Sequence, residues 1–155
     1  MPTYRKAEVI KALLAAHPYE EPAFDLYPLQ NSWQQAGAGV IGELETPETE
    51  LEFLKRIKKT FEVGCLKHNK LTGREIQTVA LCGGAGAFLM LLAIRNRADV
   101  FITGEIKYHD YFGHDTDILL AEIGHYESEQ YTKEIFYSII RDLFPNFALQ
   151  LSKIN

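Results

Sequence analysis

The chain has 155 residues, of which 46% are hydrophobic and 24% charged, and its formal net charge is -5. This composition is typical of a folded globular protein, and the acidic balance disfavours nucleic-acid binding, which needs a basic patch. The densest basic run, KRIKK at 55–59, lies beside glutamates in a helical pattern, which favours a solvated helix face. Because the two cysteines share no ligand spacing and the charged first residues do not form a secretory leader, we expect a cytoplasmic protein.

A helix, a strand and a loop are predicted for the start of the chain. Apolar residues at positions 9, 10, 13 and 14 share one helix face, which predicts a helix packed on a sheet, and Pro18 predicts that the helix ends near His17. Alternating apolar residues in AFDLYPL (23–29) predict a half-buried strand. The next segment, NSWQQAGAGVIGEL (31–44), predicts a glycine-bearing loop that runs into a short strand.

A second helix is predicted shortly after this strand. Thr46 is a suitable N-cap and Pro47 suits the first helical position. The apolar stripe of this helix is formed by Leu51, Leu54, Ile57 and Phe61. CLKHNKL (65–71) then predicts a last strand. We therefore expect residues 1–70 to form a small α+β unit.

The pattern changes near Gly73, after which strands and helices alternate in the manner of an α/β fold with a parallel sheet and flanking helices. The uncharged stretch 78–94 is shorter than the roughly 20 residues of a membrane helix and contains glycines, so we interpret it as strand, turn and buried helix. We expect a boundary near residues 69–74 and an α/β domain over 74–155. The predicted strands are 75–82, 99–104, 117–123 and 147–152, and the predicted helices are 86–97, 107–115 and 125–144.

Three motifs follow predicted strands of this domain, namely GGAG (83–86), TGEIKYHD (103–110) and GHYESE (124–129). Because the carboxyl ends of parallel strands lie at one edge of a sheet, where α/β proteins bind ligands, we expect the three motifs to converge. GGAG could present backbone N–H groups to an anion. It lacks the spacing of the known phosphate-binding loops, so a tight turn is the favoured interpretation.

GHYESE allows two interpretations, half of a metal site or the capped start of a surface helix. His125 and Glu129 are four positions apart and lie on the same helix face as the apolar Phe136, Ile139 and Leu143, which predicts that the pair faces the crevice at the sheet edge. A helix N-terminus favours ionised glutamate and neutral imidazole, the states that a metal ligand requires. Imidazole and carboxylate ligands suit zinc, iron, manganese or nickel.

Two further polar segments have both a chemical and a structural interpretation. Glu105, His109 and Asp110 could be additional ligands, partners of the ligands or a general acid and base, or simply the polar end of a strand. HPYEEPAFDLYPL (17–29) holds one histidine and three acidic residues among three prolines. A stiff extended connector accounts for this second segment more simply than a ligand cluster does.

Four segments occur here in the order in which similar segments occur in the Ngg-interacting factor three-like proteins, also called GTP cyclohydrolase I type 2 homologues. They are AHPYEEPAFDLYPL, CGGAG, ADVFITGEIKYHD and GHYESE. The chain resembles this family over nearly its whole length. The resemblance implies a two-lobed fold with two divalent transition metal ions between the lobes, ring-shaped homo-oligomers and a metal-dependent hydrolase activity. It also implies that residues 1–70 form part of an inserted domain that resembles the PII signalling fold, so that their sheet has an unpaired edge or pairs with a second chain.

The resemblance also implies roles for particular residues. His125 and Glu129 match metal ligands of the family's C-terminal half, whereas Glu105 and His109 match a motif close to the metals and are possible supporting residues. The family's N-terminal half, which carries paired histidines and an aspartate ligand, has no counterpart here. We expect a C-terminal piece of a longer protein, or a reduced natural form, whose metal site is incomplete and which is inactive alone.

Two functions follow from these considerations. The first is a metal-dependent hydrolase in which the absent N-terminal half supplies the remaining ligands and the substrate is a small, nucleotide-like molecule. The second is a non-catalytic module that binds a metal or a metabolite and serves assembly or regulation. Neither a nucleic acid nor a membrane is an expected partner.

Overall fold

The computed structural model describes residues 1, 3–28 and 36–152, and the chain divides into two compact units, Met1–Gln35 and Ala36–Asn155. In the first unit a 3-10 turn leads into helix α1 (Lys6–Ala16), which ends at His17 in an extended conformation, as Pro18 predicts. No residue of α1 is buried, so the predicted packing of its apolar face on a sheet does not occur among the described residues.

The predicted strand over 23–29 is wrong for residues 23–28, which form no regular secondary structure. Residue 29 lies outside the described residues. A strand needs a hydrogen-bonded neighbour to satisfy its backbone groups, and the described part of the chain pairs no strand with this segment. Apolar alternation alone therefore does not create a strand here.

The second unit contains one five-stranded sheet with the order β1-β3-β4-β5-β2. The central strands β3, β4 and β5 are parallel, as predicted, whereas β1 and β2 pair antiparallel at the two edges. The predicted strand over 147–152 is wrong, because residues 148–152 lack regular structure. The strands are β1 (Val40–Thr49), β2 (Lys67–His68), β3 (Glu75–Cys82), β4 (Val100–Thr103) and β5 (Leu119–Glu122).

Residues 40–68 do not form the separate layer that the sequence predicts. β1 pairs with β3 from Val40 opposite Leu81 to Thr49 opposite Glu75, and β2 pairs with β5. The predicted boundary at 69–74 thus lies inside the second unit, and the likeness to half of a PII domain is not confirmed. Local patterns do not reveal such pairing, because the partner strands are distant in sequence.

Helix α2 (Glu50–Thr60) begins three residues later than predicted. Its N-cap is Thr49, which accepts a hydrogen bond from the backbone N–H of Glu52, while the Glu52 carboxylate accepts one from the backbone N–H of Thr49. Thr46 and Pro47 instead belong to β1, at an irregularity in its pairing with β3. Proline is tolerated there because an edge strand at a bulge needs no ladder donor.

Two layers of helix cover the sheet. Phe53, Leu54 and Ile57 of α2 are buried against one face, whereas Leu51, predicted to be in this stripe, is 53% exposed. Met90 and Ala93 of helix α3 (Met90–Arg95) cover the other face. The remaining helices are shorter than predicted, with a 3-10 turn at Gly86–Leu89, another at Tyr108–Tyr111, and separate helices α4 (His125–Glu129) and α5 (Thr132–Leu143).

Buried Asn69 extends the short strand β2. Its side-chain amide donates to the carbonyl oxygen of Ile118 at 3.0 Å and accepts from the backbone N–H of Leu120 at 2.9 Å. These two bonds replace the backbone pairing that would otherwise continue the edge. In the ranges that the structure describes, no helix has the length and apolar content needed to cross a membrane.

Candidate functional site

The carboxyl ends of β3, β4 and β5 meet at Gly84, so the predicted convergence of the three motifs occurs. The backbone N–H of Gly84 donates to the hydroxyl oxygen of Ser128 in α4 at 2.9 Å. Its carbonyl oxygen accepts hydrogen bonds from four donors at 2.9–3.1 Å, which are the backbone N–H groups of Gly86, Gly104 and Glu105 and the hydroxyl of Thr103. One glycine therefore joins the loops that follow all three strands.

Gly84 has a left-handed conformation, with φ at +62°, and lies directly against the side chains of α4. A Cβ at this position would collide with Oε1 of Glu129 and would lie 3.3 Å from Nε2 of His125. Glycine is thus required both by the backbone and by the close approach of the two side chains. The GGAG segment is a tight turn, and the 3-10 turn after it has only four residues.

The imidazole of His125 lies between two carboxylates. Its Nδ1 is 2.7 Å from Oε1 of Glu105, and its Nε2 is 3.2 Å from Oε2 of Glu129. α4 starts after Gly124, whose φ of +97° turns the chain from β5 into the helix. The structure therefore brings together three of the residues that the sequence singles out, from two different strand ends.

The continuation of this helix face differs from the prediction. α4 ends at Glu129 and α5 starts at Thr132, so the two are separate helices. The apolar residues predicted to turn toward the sheet are exposed in this chain, with Phe136 at 58%, Ile139 at 48% and Leu143 at 67%. The side chains of His125 and Glu129 are themselves about half exposed, at 48% and 52%. The site is open, not closed into a crevice within this chain.

The two carboxylates also set the protonation of His125. The hydrogen bond to Glu105 raises the pKa of His125 above its ordinary value, partial desolvation opposes this, and the charge of Glu129 adds to it. The expectation that the helix N-terminus would favour neutral imidazole is therefore wrong. The two flanking carboxylates favour the charged imidazole, and the expectation considered only the helix start.

The donor chemistry of this cluster suits a cation. When Nδ1–H of His125 donates to Glu105, the lone pair of Nε2 faces the Glu129 carboxylate, and two acceptors at 3.2 Å require a proton or a metal ion between them. Nitrogen and oxygen ligands bind zinc at about 2.0–2.2 Å, so two ligands of one ion lie roughly 3 Å apart. Among residues 3–28 and 36–152, no three His, Cys, Asp or Glu side chains are grouped to hold a metal ion.

Other candidate residues are not part of this cluster. The side chain of His109 is 74% exposed, and its Nε2 lies 3.5 Å from Oδ1 of Asp110. The Cys82 thiol donates to the carbonyl oxygen of Ala38 at 3.1 Å, and burial, followed by the charge of Glu129, raises its pKa. Cys82 is therefore held as a thiol and not as the thiolate that metals bind.

The sequence prediction missed Ser128 and the central role of Gly84. The Ser128 hydroxyl donates to the carbonyl oxygen of His125 at 2.8 Å while accepting from Gly84. Ser128 lies three positions after the start of α4, a spacing that could have indicated its hydrogen bond to the carbonyl oxygen of His125. The four-donor carbonyl of Gly84 has no local sequence pattern, because its donors come from two loops.

Comparison with known sequences gives a consistent picture. The model of a family described as Duf34/NIF3 (NGG1p interacting factor 3) matches residues 5–155. A protein of Halalkalibacterium halodurans named GTP cyclohydrolase 1 type 2 homolog is 43% identical over 105 residues, which are 68% of this chain and 28% of that protein. A protein of the same name from Staphylococcus epidermidis is 36% identical over 150 residues, which are 94% of this chain and 40% of that protein. The chain thus spans less than half of these relatives.

Solved structures agree with the fold. The crystal structure of Staphylococcus aureus protein SA1388 aligns with all of this chain and 52% of its own, with a TM-score of 0.77 and 26% identity. The crystal structure of a Bacillus cereus protein related to NIF3 aligns with all of this chain and 44% of its own, with a TM-score of 0.74 and 28% identity. In both cases this chain corresponds to only part of a longer protein.

Proposed function

Because this chain belongs to the Duf34/NIF3 family, we propose that its strand-end cluster is one part of a metal centre in a metal-dependent hydrolase. His125 and Glu129 are the metal ligands, and Glu105 orients the imidazole. The observation that carries this proposal is the placement of His125 between two carboxylates, with Nδ1 at 2.7 Å from Glu105 and Nε2 at 3.2 Å from Glu129.

Each residue of the cluster has a distinct task in this proposal. Glu105 accepts from Nδ1–H, which fixes the tautomer that leaves Nε2 free for a metal, as carboxylate partners of metal-bound histidines commonly do. Glu129 supplies an anionic oxygen, and Gly84 leaves the space in which the two ligand atoms approach each other. A divalent transition metal held there would supply a water acidic enough to attack a substrate near neutral pH.

The remaining ligands are proposed to come from outside this chain. Two bridged ions need more protein ligands than one histidine and one glutamate. The relatives are longer than the segment matched here, and their unmatched part, or a neighbouring subunit of a homo-oligomer, is the proposed source. We expect this chain alone to bind metal weakly and to have no hydrolase activity. The name of these relatives, GTP cyclohydrolase 1 type 2 homolog, supports a small, nucleotide-like substrate.

Calorimetric titration of the chain with zinc chloride tests the ligand assignment. We expect weak binding by the original chain and no measurable binding by His125→Ala or Glu129→Ala. His114→Ala is the matched control, because His114 also lies beside a carboxylate, with Nδ1 3.3 Å from Oδ2 of Asp117, but in another part of the structure. Equal binding by the original chain and His125→Ala would contradict the proposal. If this chain retained two ions after dialysis against a chelator, the expectation that its metal site is incomplete would be contradicted.

A second candidate, a non-catalytic assembly module, is supported by a different observation. α5 has no buried residue, although Ile135, Phe136, Ile139 and Leu143 lie on it and are 48–67% exposed. An apolar face of this extent favours a protein contact. Light scattering after gel filtration, combined with the zinc titration, separates the two functions. Assembly without any metal binding in a full-length family member would favour the module over the hydrolase.

A further inference from the structure

A second polar cluster, centred on the partly buried carboxylate of Glu122, lies at the same end of the sheet as the candidate metal site. Glu122 is the last residue of β5, and its side chain is 13% exposed. Its Oε1 accepts from Nζ of Lys67 in β2 at 2.8 Å, and its Oε2 accepts from the hydroxyl of Tyr111 at 2.6 Å. None of these three residues contributes to the metal ligands proposed above.

Glu122 contacts the loop that follows β4 at two points. The loop leaves β4 at Gly104 and carries Glu105, and it returns toward the sheet at Tyr111, where the hydroxyl reaches Glu122. The backbone N–H of Ile106, next to Glu105, also donates a hydrogen bond to the Glu122 carboxylate, which lowers the pKa of Glu122. Between these points the loop faces solvent, since Tyr108 is 81% exposed.

The protonation states support a persistent link. Burial acts to raise the pKa of Glu122, but hydrogen bonds from Lys67 and Tyr111, the charge of Lys67 and the Ile106 backbone together lower it. Burial and the hydrogen bond to Glu122 raise the pKa of Tyr111. At neutral pH the link therefore joins a carboxylate to a phenol and an ammonium group, and hydrogen bonds to a charged partner are among the stronger ones.

We propose that Glu122 and Tyr111 are positioning residues for the metal site, because they hold the loop that presents Glu105 to Nδ1 of His125. This inference rests on the proposed function, which it deepens by adding residues that are not among the proposed ligands. Lys67 contributes differently, because its bond to the other carboxylate oxygen joins the edge strand β2 to β5 and does not involve the loop.

Tyr111→Phe is the main test, because it removes only the hydroxyl, and Glu122→Gln is the second variant. We expect zinc affinity to fall roughly 3- to 10-fold in each, less than the 10- to 100-fold typical for a direct partner of a metal-bound histidine. Lys67→Met is the matched control, which breaks the other half of the cluster and should leave zinc affinity unchanged. All titrations are made well below the thermal transition of each variant, so that unfolding does not contribute.

Two measurements without metal distinguish this inference from the proposed function. In the original chain, imidazole ¹⁵N shifts at a pH where His125 is neutral should show the Nδ1–H tautomer, and Tyr111→Phe should shift it toward Nε2–H. Amide exchange at Glu105 and Ile106 should also become faster in Tyr111→Phe but not in Lys67→Met.

Different results would contradict this inference and the proposed function. An unchanged tautomer and unchanged exchange in Tyr111→Phe would overturn the inference, whatever the chain does with zinc. Absence of zinc binding in the original chain and in a full-length relative would overturn the proposed function. In that case the tautomer and the exchange rates alone would still decide whether Glu122 and Tyr111 hold Glu105 in place. A loss of zinc affinity in Lys67→Met equal to that in Tyr111→Phe would indicate a general structural role and also count against positioning.

Discussion

Strand β4 and helix α5 are both patterned for burial, yet this chain buries only one of them. All four residues of β4 are 0–2% exposed, because β3 and β5 flank it and helices cover both faces of the sheet. No residue of α5 is buried. At its start, Gln130 donates to the carbonyl oxygen of Phe61 at 3.1 Å, and Tyr131 packs edge-on against the Phe61 ring.

This difference shows that an apolar pattern in the sequence does not always mean burial within the same unit. β4 forms the interior of this unit, and its side chains contribute directly to the free energy of unfolding. The apolar face of α5 contributes little to that free energy here, because exposed side chains gain little from folding. A contact outside this unit would explain its pattern, in line with the assembly function proposed above.

The largest effect should come from matched truncations of two phenylalanines. Phe101→Ala in β4 should lower the free energy of unfolding by about 3–5 kcal/mol, because Phe101 is 1% exposed and leaves a cavity. Phe136→Ala in α5 removes the same atoms at 58% exposure and should cost less than about 1 kcal/mol. Urea unfolding followed by circular dichroism measures both. Equal losses would mean that α5 is buried in solution by a contact absent from this chain's structure.

A smaller effect is expected at the strand ends. Gly84→Ala should cost roughly 1–2 kcal/mol for the left-handed backbone, and more because its methyl group displaces Glu129. Gly73→Ala is the matched control, because Gly73 also has a positive φ, +77°, but no atom lies within 4 Å of its Cβ position. Gly84→Ala should therefore be the less stable of the two in urea unfolding and should alone lose zinc binding. Similar stability and intact zinc binding in both variants would refute the close packing of Gly84 on α4.

Lowering the pH should reduce the contribution that Glu122, at the end of β5, makes to the free energy of unfolding. The pKa of Glu122 is lowered by folding, so its contribution to stability is present above the ordinary value of 4.5 and is lost as the pH falls through the lowered value. Lys67 and Tyr111 are the titratable groups that face it. Stability measured between pH 7 and pH 3 should therefore fall less in Glu122→Gln than in the original chain. Parallel curves would show that Glu122 titrates alike in the folded and unfolded states.

The smallest effect on stability should accompany a change in self-association. Ile139→Asp in α5 should change the free energy of unfolding by less than about 0.5 kcal/mol, because Ile139 is 48% exposed. If α5 forms a contact between copies, the same substitution should reduce the mass measured by light scattering. Ser138→Asp adds an equal charge at the neighbouring position and should leave the mass unchanged. Loss of assembly in both variants would indicate a charge effect instead of an apolar contact.

The central parallel strands and the site motifs could be predicted from the sequence because their patterns are local. β3 coincides with the predicted range, and His125 and Glu129 meet because a four-residue spacing places them on one face of a helix. The start of α2 could not be predicted as well, because Thr46 with Pro47 and Thr49 with Glu52 are both valid helix starts. Pairing of β1 with β3 decides between them by extending the strand to Thr49.

The contacts that were not predicted are long-range or belong to the backbone. The bond between Lys67 and Glu122 joins residues 55 positions apart, and the four donors of Gly84 depend on how the loops are packed. The pKa of His125 was predicted in the wrong direction because the helix start was considered without Glu105, which is 20 positions away. Spacing within a motif cannot supply a partner from another strand end.

The pairing of β2 with β5 has a consequence for the order in which the molecule is made. The backbone N–H that reaches Asn69 belongs to Leu120, 51 positions later in the chain. During synthesis, residues 67–69 leave the ribosome with no strand to pair with, and they must wait until β5 has followed β3 and β4. Contacts between distant residues slow folding, so closure of this edge should be a late step, after the parallel strands have formed. Until then β5 presents an open edge, and this nascent edge is where a chaperone would have most to protect.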